Sequence, residues 1–74
     1  MPALLACDYI ARTVRTLEGL QESYARRART AERFAKHAAE VHDKDTADHF
    51  MREAAIWRDA IDQLAKTIQR EQGR

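Results

Sequence analysis

The placement of helix-breaking residues constrains the fold of this chain more than any other feature of its sequence. Between residues 3 and 72 there is no proline and a single glycine, Gly19, whereas Pro2 and Gly73 stand near the two ends. Because proline and glycine are the residues that most often interrupt a helix, the chain can form helices well beyond the usual length of about 11 to 12 residues. The sequence therefore predicts an all-α protein.

Apolar and small side chains recur in two stripes with alternating spacings of three and four residues. The first stripe has one polar interruption, Gln21, and comprises Ala3, Cys7, Ile10, Val14, Leu17, Tyr24, Ala28, Ala31, Ala35 and Ala38. The second is uninterrupted and comprises Ala47, Phe50, Ala54, Trp57, Ile61, Leu64 and Ile68. This spacing places each stripe along one side of a helix, as in a coiled coil. We therefore expect two long helices that pack along their stripes.

The polar segment His42-Asp43-Lys44-Asp45-Thr46 separates the two stripes and predicts a hairpin turn. Asp45 or Thr46 is the expected N-cap of the second helix, because Asp and Thr side chains accept hydrogen bonds from the free amides of a first turn. Gly73 can close the second helix. We expect a single helical-hairpin domain over residues 1–74, with a helix over about 3–41, a turn over about 42–45 and a helix over about 46–72.

Length and charge narrow the possible classes of protein. The 74 residues have room for one small domain. Thirteen Lys and Arg against 12 Asp and Glu leave a formal charge of +1, so any electrostatic function must come from a local cluster. The single cysteine, Cys7, excludes an intrachain disulfide and is typical of a reducing compartment. Because no apolar run reaches the roughly 18 residues of a membrane span, we expect a cytoplasmic protein.

The two predicted helices differ in length. The second is ~40 Å long at 1.5 Å per residue, so it covers the first only over about residues 15–41. Residues 3–14 are left over, unless the chain folds back near Gly19, where a glycine can bend the helix. The uncovered apolar residues are Leu4, Leu5, Cys7, Ile10 and Val14. We expect another molecule to cover them.

The second helix also has more apolar surface than one hairpin seam can bury. Within Ala54-Ala55-Ile56-Trp57, Ala54 and Trp57 belong to the stripe, whereas Ala55 and Ile56 point elsewhere. Chains below about 70 to 80 residues rarely bury enough surface for stability without association, a metal or disulfides. The sequence therefore predicts a homodimer, most simply a four-helix bundle.

The candidates for metal binding lie around the predicted turn and are His37, His42, Asp43, Asp45 and His49. They form no HExxH pair, so solvated side chains are the favoured interpretation, and we expect no metal and no cofactor. No Ser-His-Asp or Cys-His set can be assigned, and there is no Gly-rich phosphate loop. The sequence predicts a protein that is not an enzyme.

A set of basic residues shares the outward side of the first helix, and we call it the basic ridge. It spans ~36 Å along the helix and comprises Arg12, Arg15, Arg26, Arg29, Arg33 and Lys36. Glu22 and Glu40 are interleaved with it. A solvated helix face is the plain interpretation, and an acidic protein surface or nucleic acid are the functional ones.

The preferred function is protein binding. Trp57 at helical spacing is typical of a core residue, whereas Ile56 at an outward position can anchor a partner. We expect Leu4, Leu5, Ile10, Ile56 and Trp57 to form the binding surface of a regulator or inhibitor. It would act by steric occupation of a host or cellular protein, as do many small proteins of phages and other mobile elements. The alternative is a dimeric RNA- or DNA-binding hairpin that uses the basic ridge.

Two resemblances agree with these alternatives. Glu53-Ala54-Ala55-Ile56-Trp57-Arg58-Asp59-Ala60-Ile61-Asp62-Gln63-Leu64 resembles the second helix of the UVR hairpin, a protein-interaction module, over about a sixth of the chain. Arg52 stands where that module has an aromatic residue, and the turn here is longer. In overall plan the chain is similar to plasmid copy-control RNA-binding proteins of the Rop kind, dimers of helical hairpins that grip RNA with one outer face.

Overall fold

The fold is a two-helix hairpin. The computed structural model describes residues 2–73 of the chain, and the side chains of residues 8–73. Helix α1 covers Pro2–Glu40 and helix α2 covers Lys44–Gln72. The protein is a rod of 61 × 14 × 10 Å, which confirms the prediction of an all-α hairpin. Neither helix, within the described residues, is long and apolar enough to cross a membrane.

The turn between the helices depends on one residue in the left-handed conformation. His42 has φ 60°. Its amide donates to the carbonyl of Ala39 at 3.1 Å, and the amide of Asp43 donates to the carbonyl of Ala38 at 2.9 Å. These two bonds form a Schellman motif, which satisfies the last carbonyls of α1 and usually has glycine at the left-handed position.

Asp43, which follows directly, caps α2. Its carboxylate accepts from the amide of Thr46 at 3.2 Å and from the Thr46 hydroxyl at 2.7 Å, and these hydrogen bonds lower the pKa of Asp43. The prediction that Asp45 or Thr46 would be the N-cap was wrong, because the Schellman motif reverses the chain within three residues and α2 begins earlier.

The side chains that face each other across the seam between the helices change in size along the rod. Ring contacts of Tyr24 with Trp57 and of Phe34 with Phe50 set the register, so residue numbers that face each other sum to about 81 to 84. In this register alanine faces alanine near the turn, as in the buried pair Ala28 and Ala54. Larger side chains face each other towards the open end. Because small residues let helices approach closely, large side chains have no room in the seam near the turn.

The core is thin throughout. Its buried members are Val14, Ala28, Ala31, Ala35, Ala38, Ala54 and Ile68. Among the described residues no polar side chain is buried and no large side chain is fully buried. Gln21, the polar interruption of the first stripe, donates from Nε2 to the carbonyl of Ile61 at 3.4 Å. The side-chain amide of Gln21 therefore has a hydrogen-bond partner within the seam.

The second helix reaches further along α1 than predicted. Val14 is only 8% exposed and lies level with Ile68 in the register given above. The prediction that Val14 is uncovered was therefore wrong, since α2 begins before residue 46 and the uncovered stretch is correspondingly shorter. The chain does not fold back at Gly19, because α1 is one continuous helix.

The ion pairs also differ from simple helical spacing. Helical spacing alone would pair Glu22 with Arg26 and Glu32 with Lys36, each four residues apart. The first is present at 3.8 Å. Glu32 instead binds Arg58 of α2 through a short two-donor contact. This pair joins the two helices along one side of the seam.

Candidate interaction face

The hairpin has two broad faces, one on each side of the seam. The cross-helix pair of Glu32 and Arg58 lies on the face that we call the charged face, and its residues are Arg15, Glu18, Glu22, Arg29, Glu32, Lys36, Asp48, Met51, Arg58 and Asp62. We call the opposite one the aromatic face, and its residues are Leu20, Ser23, Arg27, Thr30, Phe34, His49, Phe50, Glu53, Ile56, Trp57 and Ala60. The charged face carries nine charged side chains beside exposed alanines such as Ala55, whereas Arg27 and Glu53 carry the full charges in the second set, with Arg26 at its edge.

The aromatic face exists because the seam near the turn is too narrow for large side chains. Phe50 belongs to the second stripe, yet it leans out of the seam and contacts Phe34, with the ring centroids 5.2 Å apart. Phe34 is 51% exposed. His49 lies edge-on to Phe50 at 5.2 Å. The rings therefore cover the seam from outside and remain open to solvent.

A second ring pair continues the face towards the open end. The rings of Tyr24 and Trp57 are 5.0 Å apart. The guanidinium of Arg27 lies 5.1 Å from the centre of the Trp57 ring, a cation–π contact. Between the two ring pairs lies an open groove of about 240 Å³, lined by Arg26, Arg27, Thr30, Ala31, Phe34, Phe50, Glu53 and Trp57.

Opposite charges stand on the two rims of this groove. Arg26 and Arg27 lie on the α1 side and Glu53 on the α2 side. Glu53 is also 3.9 Å from His49 on its own helix. The groove thus combines an apolar, aromatic floor with one positive and one negative rim. This combination is typical of protein interfaces, in which aromatic residues and arginine are enriched.

The structure separates the predicted protein-binding residues. Ile56 is 66% exposed on the aromatic face, while Trp57 is half-buried and Ile10 is partly covered. Leu4 and Leu5 lie outside the residues whose side chains are described. Sequence reasoning missed Phe34 and Arg27. The signal was the seven-residue repeat Leu20, Arg27, Phe34, which runs beside the stripe and marks a flank of the seam.

All six residues of the basic ridge are exposed, as their spacing predicted. Arg26 is 3.8 Å from Glu22. Among the described side chains, no hydrogen-bond or ion-pair partner is found for Arg29, Arg33 and Lys36. Acids nearby are engaged elsewhere, since Glu32 binds Arg58. The ridge is therefore a solvated line of cations with unused charge.

The histidines near the turn do not converge. His37 lies 3.7 Å from Glu40, its neighbour one helical turn on, and His49 pairs within α2. Among the described residues, no three His, Cys, Asp or Glu side chains are placed to hold a metal ion.

No known protein family matches this chain, and comparisons with curated proteins and with solved structures found no significant similarity. The resemblances to the UVR hairpin and to the Rop plan therefore rest on the quoted residues and the architecture alone. The two faces and the basic ridge are the features of this chain that bear on its function.

Proposed function

We propose that this chain is a non-enzymatic protein-binding regulator that occupies the surface of a host or cellular protein and thereby inhibits or modulates it. The observation that carries the proposal is the exposure of Phe34 and Ile56, 51% and 66%, on a face that also holds the rings of Phe50 and Trp57. Large apolar side chains grouped on one face of a small protein are typical of an interaction site.

The free energy available from burying Ile56 and Phe34 in a complex is large enough for binding anchors. Fully burying a side chain such as Ile or Phe is worth about 1.5 to 3 kcal/mol. Ile56 and Phe34 still expose more than half of their surface, so each has about 1 to 2 kcal/mol left to gain in a complex. Two such anchors contribute enough to lower a dissociation constant by about a hundredfold.

The remaining predicted surfaces support docking in different ways. The basic ridge lies on the outward side of α1 and would orient the protein towards an acidic partner, since charged rims raise association rates more than affinity. Leu4, Leu5 and Ile10 remain predicted contacts at the open end. We also propose that hairpins associate into a four-helix bundle, because the thin core leaves the aromatic face unburied.

Matched aspartate variants test the use of the aromatic face. Ile56→Asp places a charge on this face, whereas Ala55→Asp places the same charge on the neighbouring, exposed residue of the other side. Tagged wild type and both variants are used to capture proteins from a lysate of the source organism, with quantification by mass spectrometry. Captured partners are then purified and titrated with each variant by calorimetry.

We expect Ile56→Asp to lose the partner that wild type and Ala55→Asp retain, while circular dichroism shows equal helicity in all three. Equal affinity of the two variants for the purified partner would contradict the proposal.

A second candidate function is nucleic-acid binding, favoured by the unused charge of the basic ridge. Arg29 and Lys36 lie one heptad apart, about 10 Å along α1, and Arg33 lies between them. A gel-shift titration with structured RNA and duplex DNA at two salt concentrations tests it. Phosphate binding would weaken steeply with salt, because neutralised phosphates release counterions. Absence of any shift at low salt would end this candidate.

A further inference from the structure

We infer that the aromatic face is first occupied by a second copy of this chain, packed with α1 of one copy over α2 of the other and with both hairpins pointing the same way. This inference rests on the proposed function, because it names an occupant for the same face. Three features of the described structure support it, namely the exposed area, the arrangement of charge and the position of the small residues.

The exposed area fits an interface between two copies. A folded monomer of this length is expected to expose roughly 4,700 Å², whereas the hairpin exposes 5908 Å². The excess of roughly 1,200 Å² exceeds the ~800 Å² per partner that a standard stable interface buries. The radius of gyration, 17.3 Å, is also far above the ~11 Å of a compact domain of 74 residues. The single hairpin therefore exposes more extra surface than one partner buries in a standard dimer interface.

The charges on the aromatic face select between two symmetric arrangements. A symmetric dimer packed through one face has its two-fold axis in the plane of the interface. With the axis across the rod at the level of the groove, α1 lies over α1, and Arg26 and Arg27 lie opposite the same two arginines of the second copy. With the axis along the rod, α1 lies over α2 at the same level, and Arg27 meets Glu53 of the second copy. The second arrangement pairs opposite charges twice and the first opposes like charges, which interfaces avoid.

The levels along the rod allow this pairing. In the register set by the ring contacts, Glu53 lies level with Thr30. Arg27 is three residues from Thr30, about 4.5 Å along the helix axis, a gap that an arginine side chain spans. Arg27 and Glu53 border the same groove. The α1 rim of one copy therefore lies opposite the α2 rim of the other copy, and the reverse pair forms as well.

Small residues leave room for the apolar anchors. Ile56 lies level with about residues 25 to 28 of α1 in this register. In the second copy it would lie on the aliphatic part of Arg27, flanked by Ser23 and Thr30, whose side chains are short. Phe34 of one copy then packs near Phe50 of the other. A partner protein and the second copy would compete for this face, so the dimer limits how much monomer is free to bind.

Charge reversal tests the inference on the full-length protein. The variants are Arg27→Glu, Glu53→Arg and the double variant, with Arg29→Glu on the charged face as the matched control. Sedimentation equilibrium gives the dissociation constant of each, and circular dichroism confirms that each is helical. We expect wild type to be dimeric at micromolar concentration and each single reversal at Arg27 or Glu53 to weaken the dimer by at least about tenfold. We expect the double variant to recover to within about threefold of wild type, and the control to match wild type.

Spin labels test the direction of packing. In a Cys7→Ser background, Gln72→Cys carries the label. Packing with both hairpins pointing the same way keeps the two labels within about 25 Å of each other. The opposite direction, with the axis at the level of Ile56, separates them by roughly 50 Å, twice the rise from Ile56 to Gln72.

Each outcome decides the matter. Three results overturn the inference. The first is a protein still monomeric at 100 μM, roughly a hundred times the expected micromolar dissociation constant. The others are a double variant whose dimer is as weak as those of the single variants, and labels about 50 Å apart. If the protein is monomeric while Ile56→Asp still loses its partner, the proposed function survives without the dimer. If the dimer forms as described but no partner depends on Ile56, the proposed function fails and the inference stands.

Discussion

Replacing His42 by glycine is expected to stabilise the hairpin. His42 adopts φ 60° to close the Schellman motif, and a residue with a Cβ pays about 1 to 2 kcal/mol for this conformation. Glycine avoids that cost but loses more freedom on folding, about 0.5 to 1 kcal/mol. The net gain is about 0.5 to 1 kcal/mol. For a chain of 74 residues this corresponds to a rise in Tm of about 3 to 6 °C.

Thermal unfolding followed by circular dichroism at 222 nm measures the effect. All samples need the same protein concentration, because association shifts Tm. His42→Ala is the matched control, since it removes the imidazole but keeps the Cβ and its strain. We expect His42→Gly to melt above both wild type and His42→Ala. If His42→Gly melts no higher than His42→Ala, the backbone argument is refuted.

Three further substitutions probe the hairpin by thermal unfolding. Gly19→Ala should add about 1 kcal/mol to stability, because alanine is the better helix former and its Cβ would meet nothing within 4 Å; an unchanged Tm would contradict this. Ala35→Leu should cost about 1 to 3 kcal/mol by overpacking the narrow seam, whereas the exposed Ala39→Leu should be nearly neutral; equal losses would contradict the alanine packing. Asp43→Ala should lower Tm by losing the cap, and Asp43→Asn should keep it. Because hydrogen bonds lower the pKa of Asp43 from 3.8, its stabilisation is complete above that pH and is lost as pH falls through the lowered pKa; a wild type that responds to acid like Asp43→Asn would contradict this.

The hairpin itself could be predicted because hydrophobic spacing decides it. Stripe residues that were expected inside, such as Ala28, Ala54 and Ile68, are buried. Nothing local competes with this pattern, since the chain between its ends lacks proline and Gly19 leaves α1 continuous. A long periodic signal of this kind survives small errors in helix ends.

The first residue of α2 could not be predicted from the sequence, because three residues of the polar segment are all good N-caps. Asp43, Asp45 and Thr46 differ little in capping preference. The choice depends on His42 taking the left-handed conformation, which is uncommon for a residue other than glycine. An early start of α2 then moves its whole register against α1, which is why Val14 is covered.

The aromatic face could be predicted only in part. The outward position of Ile56 follows from helical spacing. The exposure of Phe34 and the lean of Phe50 depend on how closely the helices approach, which is a property of the pair and not of either helix. Alanine on both sides of the seam, as at Ala28 and Ala54, was readable in each stripe, but its consequence required the register between them.

The alanine layers near the turn also have a consequence for engineering. Because they fix the distance between the helices, no rotation of side chains within one hairpin can take Phe34 inside, and about half of its surface stays free for a partner. Partner binding and close packing of the helices therefore depend on different residues in this chain. Replacing Phe34 and Ile56 by polar residues should give a monomeric, well-behaved scaffold of the same shape, onto which a chosen recognition surface could be grafted.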